Sequence, residues 1–475
     1  MKHGAMRAGT VVCYLMLIAI LAGSVLEGAA GDTSKKYSLQ LVGKEGVRLE
    51  YDVLRSDILD AQNPDATLEI RNGGYGSAMT AHPFEVNQFY ALTDRGPNAK
   101  FTKGNYGKGK VFPTPDYTPR IGLFEVRRDG RVSLIREILL RRPDGSRITG
   151  LPNSSGIGGT GETPYHCDGS PILRDGSRPY NNDAMSPEYN PFRLDDYGLD
   201  TEGLVALSDG TFWVSDEYGP HLVHFADNGR EIERINPFNT DSRVAHTLPA
   251  EFANRRPNRG MEGLAVTPDE KTLVGIMQST MYNPSKRVKK LDVTRIVTIN
   301  LESGQVRQYL YRQDKPQNAN SEIVAMSSTK FLVIERDGKF LSKDSAAQKK
   351  VYQIDLATGT DLESLYGNGL TQDAKLGLMV QGKTVEETVL EKGWNGLADA
   401  GIVPVSKKLA VDMVQAVSYP HDKMEGLWLI DEKTLGVLND DDFAVWSTGG
   451  KLHRKMLNSR ERDANTLYVV RMDNL

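Results

Sequence analysis

Acidic residues bracket short apolar segments at several places in this sequence. In residues 200–220, DTEGLVALSDGTFWVSDEYGP, Glu202 precedes one apolar run, and Asp216 and Glu217 follow the next. Antiparallel strands joined by a tight turn bring the start of the first strand beside the end of the second. We therefore expect these three carboxylates to lie together at the open end of a hairpin.

The same bracket returns along the chain. EGLVAL begins at Glu202, EGLAVT at Glu262, EIVAMS at Glu322 and EGLWLI at Glu425, and the first three are 60 residues apart. Polar residues again follow the return strands, and an earlier unit ends in the same way: Gln278; Glu335, Arg336 and Asp337; residues 439–442; Asp94 and Arg95. Regular units of this size, built from short strands, indicate propeller blades.

If the units share one orientation, these ends converge on one mouth of a central channel. Crowded carboxylates repel one another, and a bound cation relieves that repulsion; oxygen ligands favour hard ions such as Ca²⁺. Arginines at the same ends (Arg95, Arg336, Arg259 and Arg120) would give a pocket of mixed charge, suited to a phosphate or carboxylate ligand. The alternative is that the acids only bind turn backbone.

The rest of the chain predicts an all-β protein. Its 475 residues include 46 Gly and 22 Pro, and the apolar runs are short, which is typical of many short strands. We expect one domain over residues 31–475, a β-propeller of six or seven blades. Residues 142–196 predict a long loop-rich excursion, and residues 373–412 a small, partly helical insertion. The segment Thr466–Arg471 should complete a blade with N-terminal sequence, because ring closure removes exposed edges.

The N-terminus and the overall charge limit location and partners. Residues 1–30 resemble a signal peptide, with basic residues before an apolar run at 11–22 and small residues before Gly31. We therefore expect a secreted or periplasmic protein with no stable membrane insertion after cleavage. A net charge of −4 argues against a general nucleic-acid binder. Of the two cysteines, Cys13 lies in the signal, so Cys167 has no partner for an internal disulfide.

Four stretches resemble a known family. Residues 200–220, 258–279 (NRGMEGLAVTPDEKTLVGIMQS) and 331–339 (FLVIERDGK), together with ALTDRGPN at 91–98, are similar to the phytase-like family, described as having esterase-like activity of phytase. The resemblance runs from about Gly73 to the C-terminus and is looser around Glu425. It implies a phosphoesterase or phosphodiesterase-like activity and implicates Asp94, Glu202, Asp216, Glu217, Glu262, Glu335 and Asp337.

Pattern and resemblance together predict a monomeric, Ca²⁺-dependent hydrolase that acts on a small-molecule phosphate ester. The expected metal ligands are Asp94, Glu202, Asp216, Glu262 and Asp337. Glu217 or Glu335 would act as general base, and Arg95 and Arg336 would stabilise transition-state charge. Two alternatives remain open: a Ca²⁺-dependent lactonase of propeller type, and a non-catalytic propeller that Ca²⁺ stabilises for binding.

Overall fold

The protein is mostly β. A computed structural model describes residue 1 and residues 39–472, and strands outweigh helices throughout this part of the chain. The predicted signal peptide, residues 1–30, lies outside the described residues apart from Met1. Among the described helices, none combines the length and the apolar character needed to cross a bilayer.

Five sheets of four or five strands, numbered I to V here, follow one another along the chain. Neighbouring strands are antiparallel except for the outermost pair of sheet II, which is parallel. Given from the first strand of each sheet to its far edge, the strands are, for sheet I, Ala78–Ala81, Gln88–Leu92, Arg120–Val126 and Val132–Leu139; for sheet II, Thr201–Ala206, Phe212–Asp216, Leu222–Phe225, Glu231–Asn236 and Val244–Thr247; for sheet III, Met261–Val266, Thr272–Met277, Val293–Asn300 and Val306–Arg312; for sheet IV, Ala319–Ala325, Lys330–Arg336, Lys349–Asp355 and Ser406–Asp412; and for sheet V, Gly426–Asp431, Thr434–Leu438, Thr466–Arg471 and Val47–Arg48.

The first strands of the five sheets form an inner ring. The inner strand of sheet I packs against that of sheet II, and so on through sheets III, IV and V, whose inner strand packs against sheet I again. Apolar side chains fill the space between neighbouring sheets. Trp213 is buried between sheets II and III, and Trp428 between sheets V and I. The inner strands are nearly continuous apolar runs because both of their faces are covered.

The prediction of six or seven blades is not confirmed, since the described residues contain five sheets of this kind. Two long segments account for chain length that the prediction assigned to further blades. One is residues 142–196, and the other lies between the strands Lys349–Asp355 and Ser406–Asp412 of sheet IV.

Sheet V joins the two ends of the described chain. Val47 pairs with Leu467 and Arg48 with Thr466, in antiparallel orientation. The predicted pairing of the C-terminal strand Thr466–Arg471 with N-terminal sequence is therefore confirmed. The N-terminal strand covers the outer edge of a C-terminal strand that would otherwise be open to another chain.

The loop-rich excursion is present as predicted. Within residues 142–196 the regular elements are the short turn of 3₁₀ helix Ser155–Ile157 and the strand Thr163–Tyr165. That strand pairs in parallel with Gly107–Val111, which pairs in turn with Ala99–Gly104. Because Ala99 and Lys110 line the cavity described below, this small sheet forms one of its walls.

The predicted helical insertion contains the helix Val385–Ala398. Its start is fixed by a capping box, in which the Thr384 hydroxyl accepts from the Glu387 amide and the Glu387 carboxylate accepts from the Thr384 amide. The shorter helix Met413–Val417 follows the outer strand of sheet IV. Small strands and 3₁₀ turns make up the other regular elements: Asp52–Arg55, Leu59–Asp60, Asn63–Thr67, Ile70–Asn72, Leu370–Asp373, Gly377–Val380, Lys383–Thr384, Val445–Thr448 and Lys451–Arg454; Ala250–Asn254, Lys286–Val288, Leu356–Thr358, Leu362–Ser364 and Asp442–Ala444.

Candidate functional site

The bracketing glutamates enter the inner strands at irregular positions. In sheet II, Thr201 pairs with Asp216 and Gly203 pairs with Ser215, so Glu202 is an extra residue in the ladder. Such β-bulges re-aim a side chain and occur often beside functional sites. The bulge turns the Glu202 side chain out of the regular alternation of the strand and towards the end of the ring.

The same irregularity recurs in the next two sheets. In sheet III the skipped residue is Glu262, because the register runs from Met261 directly to Gly263. In sheet IV it is Ser321, and Glu322 is a regular ladder residue. The sequence repeat therefore places Glu322 one residue out of step with the structure. Its carboxylate accepts from the amides of Ile323 at 2.9 Å and Leu264 at 3.2 Å.

A second set of equivalent positions follows the paired residue on the neighbouring strand. Glu217 follows Asp216 in sheet II, Gln278 follows Met277 in sheet III, and Arg336 follows the partner of Asn320 in sheet IV. These three side chains reach the same end of the ring as the bulge residues. The hairpin argument therefore predicts the right end of each sheet, although the residue type differs between sheets.

These positions surround a cavity of about 420 Å³ at that end of the ring. Its charged lining contains equal numbers of acids and bases: Asp94, Glu202, Glu217, Glu262, Glu425 and Asp442, with Arg95, Lys100, Lys110, Arg259, Arg336 and Lys423. The cavity thus has the mixed charge that the sequence predicts. It brings together acids contributed by sheets I, II, III and V.

One amide connects two of the carboxylates. The Nε2 of Gln278 donates to Oε1 of Glu217 at 2.7 Å and to Oε1 of Glu262 at 2.5 Å. The other oxygen of Glu262 is buried and has no hydrogen-bond partner among the described residues. Burial, with Glu217 and Glu425 nearby, raises the pKa of Glu262 well above its usual range. This carboxyl group is held in place but not neutralised by a cation of the protein within 3.5 Å.

Two arginines at this end are already engaged by protein groups. Arg336 forms an ion pair with Glu425 and donates to the Ser321 hydroxyl at 3.0 Å. Arg95 lies 2.6 Å from Asp200 Oδ2 and also donates to Asn258. Both guanidinium groups are nearly inaccessible to solvent, and both lie in the cavity wall as predicted.

Three carboxylates cluster closely enough to share a cation. Ligand oxygens of Asp200, Glu202 and Glu217 lie within 4.8 Å of one another, and all three residues are buried. Glu202 makes no hydrogen bond or ion pair with the rest of the described chain, although burial and the carboxylates of Glu262 and Asp200 raise its pKa well above the usual range. Burial raises the pKa of Asp200 to about 8, with Arg95 acting in the opposite direction. An all-oxygen, under-compensated set of this kind fits a hard cation such as Ca²⁺.

Asp200 is a member of this cluster that the sequence argument did not select. It opens the DTEGL segment, so the signal was present one step before the chosen Glu202. Its amide also donates to Asp216 at 2.7 Å, which ties the start of the first strand to the end of the second. The predicted metal ligand Asp94 lies in the same cavity. Burial and the carboxylates of Asp440 and Asp200 raise its pKa well above the usual range.

The remaining predicted acids lie outside the cavity. Asp216 accepts from the amides of Asp200 and Gly219, each at 2.7 Å, and so closes its own loop. Asp337 accepts from Lys349 at 2.6 Å and from the Gln348 amide at 3.1 Å. For these two residues the structure favours the alternative reading, in which acids at strand ends bind local groups.

Glu335 also points away from the cavity, because neighbouring residues of a strand face opposite sides of the sheet. Since Arg336 reaches the cavity, Glu335 faces outward, where it accepts from Tyr311 and Asn318, each at 2.7 Å, and pairs with Lys407 at 3.0 Å. The predicted role of Glu335 as general base is therefore not supported by its position. Arg120 likewise lies outside, over the ring of Tyr117.

Sheet V adds lysines that sequence reasoning missed. Lys423 lies 2.5 Å from Asp440 and 2.7 Å from Asp442, and it borders the cavity. Lys455 is fully buried behind it, 2.6 Å from the other oxygen of Asp442. The acidic run at 439–442 is thus compensated by two lysines, which distinguishes it from the cluster at Asp200.

A family model for phytase-like proteins, with esterase-like activity of phytase, matches residues 70–443. The chain belongs to the phytase-like family. The match includes Asp94, Arg95, Asp200, Glu262 and Arg336, and so most of the cavity wall of this phytase-like protein. It extends through sheets I to IV and into sheet V.

Other similarities are more limited. An "Uncharacterized secreted protein" of Arthroderma benhamiae is 32% identical over 182 residues, which is 34% of this chain and 33% of that protein. The phytase-like chain thus spans about a third of the length of this curated relative. Among solved structures, a PQQ-bound aldose sugar dehydrogenase of Streptomyces coelicolor has a TM-score of 0.30 at 9% identity, covering 89% of this chain and 98% of its own. A glycosyl hydrolase of Bacteroides ovatus has a TM-score of 0.31 at 7% identity, covering 89% and 93%.

Proposed function

We propose that this phytase-like protein is a secreted hydrolase of phosphate esters and that the reaction takes place in the cavity at the end of the ring. One observation carries the proposal: carboxylates from several sheets and three guanidinium groups surround a single cavity of about 420 Å³. That combination suits the binding of a cation together with an anionic ester. We further infer that the five sheets are the blades of a propeller, a reading supported by the continuous ring of inner strands.

The proposed cation is Ca²⁺, held by Asp200, Glu202 and Glu217, with Glu262 beside them. When bound, such an ion would polarise the phosphoryl group and favour ionisation of a water molecule. The chain supplies the ligand oxygens, and Gln278 fixes the orientation of Glu217 relative to Glu262 through two hydrogen bonds. Fixed carboxylates of this kind reduce the reorganisation needed on binding.

The proton steps are assigned to residues that line the cavity. Glu217 would accept a proton from the attacking water as its oxygen forms the new bond to phosphorus. Asp94, whose pKa is raised by burial and by neighbouring acids, retains a proton at neutral pH and could donate it to the oxygen of the departing alcohol. Arg95 and Arg336 would offset the charge that develops on the phosphoryl oxygens, while remaining fixed by Asp200 and Glu425.

Secretion is proposed from two observations. The predicted signal peptide covers residues 1–30, and the relative from Arthroderma benhamiae carries the description of a secreted protein. Extracellular Ca²⁺ would then be available to the acidic cluster. We expect the protein to act as a monomer on a small soluble substrate.

The test is a substrate panel assayed with and without Ca²⁺. The purified protein is treated with chelator, returned to Ca²⁺, and offered a phosphomonoester, a phosphodiester and a lactone of similar size. Hydrolysis of a phosphate ester that disappears with chelator and in Glu202→Gln is the expected result. Turnover of the lactone alone would favour the lactonase alternative. A Ca²⁺-dependent melting temperature without turnover of any substrate would favour the non-catalytic alternative.

A further inference from the structure

The loop 255–260, RRPNRG, carries three arginines with different surroundings. Arg255 donates to the backbone carbonyls of Tyr218 at 2.5 Å and Gly158 at 2.6 Å, so it anchors the loop to sheet II and to the long excursion. Arg256 donates to the side chain of Gln317 at 3.3 Å, on the outer side of the loop. These two side chains therefore have structural partners.

Arg259 has none of this kind. Its guanidinium makes no hydrogen bond and no ion pair with any residue in 39–472, and its Nη1 is buried without a partner. It lines the cavity beside Glu217, Glu262 and Arg336. Burial, with Arg256 close by, lowers its pKa, which shows that its charge is under-compensated in the free protein. An unpaired buried guanidinium is costly unless a ligand completes its hydrogen bonds.

The backbone holds Arg259 in place. The Arg259 amide donates to the Arg256 carbonyl at 3.0 Å, and Asn258 adopts a left-handed conformation with φ of 56° while its side chain accepts from Arg95. Next in the chain, a Cβ on Gly260 would lie 2.5 Å from the carbonyl oxygen of Glu217, so only glycine permits this approach. The loop is thus fixed on both sides of Arg259.

The other two guanidinium groups of the cavity differ in this respect. Arg95 is paired with Asp200 and Arg336 with Glu425. Their charges already compensate carboxylates of the protein. Arg259 is the arginine of the described cavity wall whose donors remain available to a ligand.

We propose that Arg259 binds an anionic oxygen group of the ligand that occupies this cavity, which on the proposed function is the phosphate of the substrate ester. Guanidinium groups bind phosphate oxygens through two parallel hydrogen bonds, and a preformed position reduces the entropy lost on binding. Asn258 is the positioning residue, since it fixes the loop through Arg95. The inference rests on the proposed function only in requiring that the ligand be an anion.

Inorganic phosphate is the probe for this assignment. Its binding to the full chain is measured by titration calorimetry at a fixed Ca²⁺ concentration below precipitation, for the wild type, Arg259→Gln, Arg259→Lys and the control Arg256→Gln. We expect Arg259→Gln to weaken phosphate binding by about 10- to 100-fold, as for the loss of a charged hydrogen-bonded contact. Arg259→Lys should recover part of the affinity, because it restores the charge without the two-point geometry. Arg256→Gln should bind like the wild type.

Kinetics on a phosphate ester provide the second measurement. For Arg259→Gln we expect KM to rise by a similar factor, and circular dichroism and the melting temperature should match those of Arg256→Gln. Wild-type phosphate affinity in Arg259→Gln would overturn the assignment, even if the wild type hydrolyses esters and the proposed function stands. Phosphate binding that depends on Arg259, without turnover of any ester, would support the assignment and overturn the hydrolase. Failure of the wild type to bind phosphate would overturn both.

Discussion

The two ends of the inner ring differ in nearly every property except the strands that build them. At one end the strands begin, and the cavity carries six acids and six bases. At the other end the same strands finish around a second cavity of about 310 Å³, lined by aliphatic residues such as Leu204, Leu264, Ile323 and Leu427. Glu270 is the one ionisable residue in that described lining.

The difference follows from how each end is made. At the charged end, β-bulges turn Glu202 and Glu262 out of the strand alternation, and loops from several sheets fold over the opening. At the apolar end, tight turns leave the regular strands and their aliphatic side chains to close the axis. Glu322 lies between the two ends with its carboxylate held by backbone amides of sheets III and IV. Chemistry is therefore expected at one end and structural packing at the other.

The largest expected effect comes from Glu262→Gln at the charged end. Loss of one fixed carboxylate from the cavity should lower kcat by about 100-fold or more. The melting temperature in chelator should not fall, because the raised pKa of Glu262 shows that its negative charge is unfavourable in the free protein. Steady-state kinetics and scanning fluorimetry check both points. Wild-type kcat in this variant would contradict the assignment of the cavity.

Leu427→Ala probes the apolar end. Leu427 is fully buried and borders the second cavity. Its truncation should cost about 2–5 kcal/mol in the free energy of unfolding, measured by denaturant titration. At a temperature where the variant is folded, kcat should stay at the wild-type value. A loss of kcat comparable to that of Glu262→Gln would mean that the two ends are not functionally distinct.

Ca²⁺ should stabilise the charged end. A ligand present at 100 times its Kd adds about 2.7 kcal/mol to the free energy of unfolding. We expect Ca²⁺ to raise the melting temperature of the wild type and of Leu427→Ala, and to leave that of Asp200→Asn nearly unchanged. Mg²⁺ at the same concentration is the matched control, because it keeps its water shell more firmly. An undiminished Ca²⁺ shift in Asp200→Asn would exclude this cluster as the site.

The pH dependence of stability without a cation gives a further test. Burial raises the pKa of several acids at this end, to about 8 for Asp200 and about 7 for Glu425. Between pH 4 and 8 the folded state therefore binds more protons than the unfolded state, and stability falls as pH rises, by about 1.4 kcal/mol per pH unit for each such group. His221, whose pKa burial lowers, opposes this trend as a single group.

The measurement is the melting temperature in chelator from pH 5 to 8, which should decrease with rising pH. Saturating Ca²⁺ should reduce the slope, since a bound cation stabilises the ionised carboxylates. The variant Glu262→Gln should also show a smaller slope than the wild type. A melting temperature in chelator that increases steadily over this range would contradict the assignment of raised pKa values.

Glu270→Gln should have the smallest effect. The Glu270 carboxylate accepts from the amide and the hydroxyl of Ser208, each at 2.8 Å, at the partly exposed rim of the apolar end. The neutral amide can still accept one of these bonds, so the expected loss is on the order of 1 kcal/mol or less. Activity should be unchanged. This variant makes the same chemical change as Glu262→Gln at the opposite end of the ring.

Much of the fold could be predicted from local pattern. The short strands, the loop-rich segment 142–196, the helix within residues 373–412 and the pairing of Thr466–Arg471 with N-terminal sequence all follow from turn residues and apolar runs. The number of sheets could not, because a spacing of 60 residues between repeats does not say how much chain lies in insertions. Five sheets are described where six or seven were predicted.

The candidate site was predictable in part. Asp94, Arg95, Glu202, Glu217, Glu262 and Arg336 were selected from strand ends, and all of them line the cavity. Asp216 and Glu335 were selected by the same reasoning, but they occupy the neighbouring position on the strand and face other groups. Whether a residue at a strand end faces the axis depends on the bulge in the partner strand, which leaves no mark in the sequence.

The sequence by itself determined which ends of the strands carry charge, since polar residues at those positions follow from the period of the strands and from the turns between them. Only the tertiary structure decided which charges are compensated. Asp442 meets Lys423 and Lys455, Arg95 meets Asp200, and Arg259 meets no carboxylate within ion-pair distance in the described chain. The physical reason is that these partners come from different sheets, and their distances are set by ring closure and by packing between the sheets.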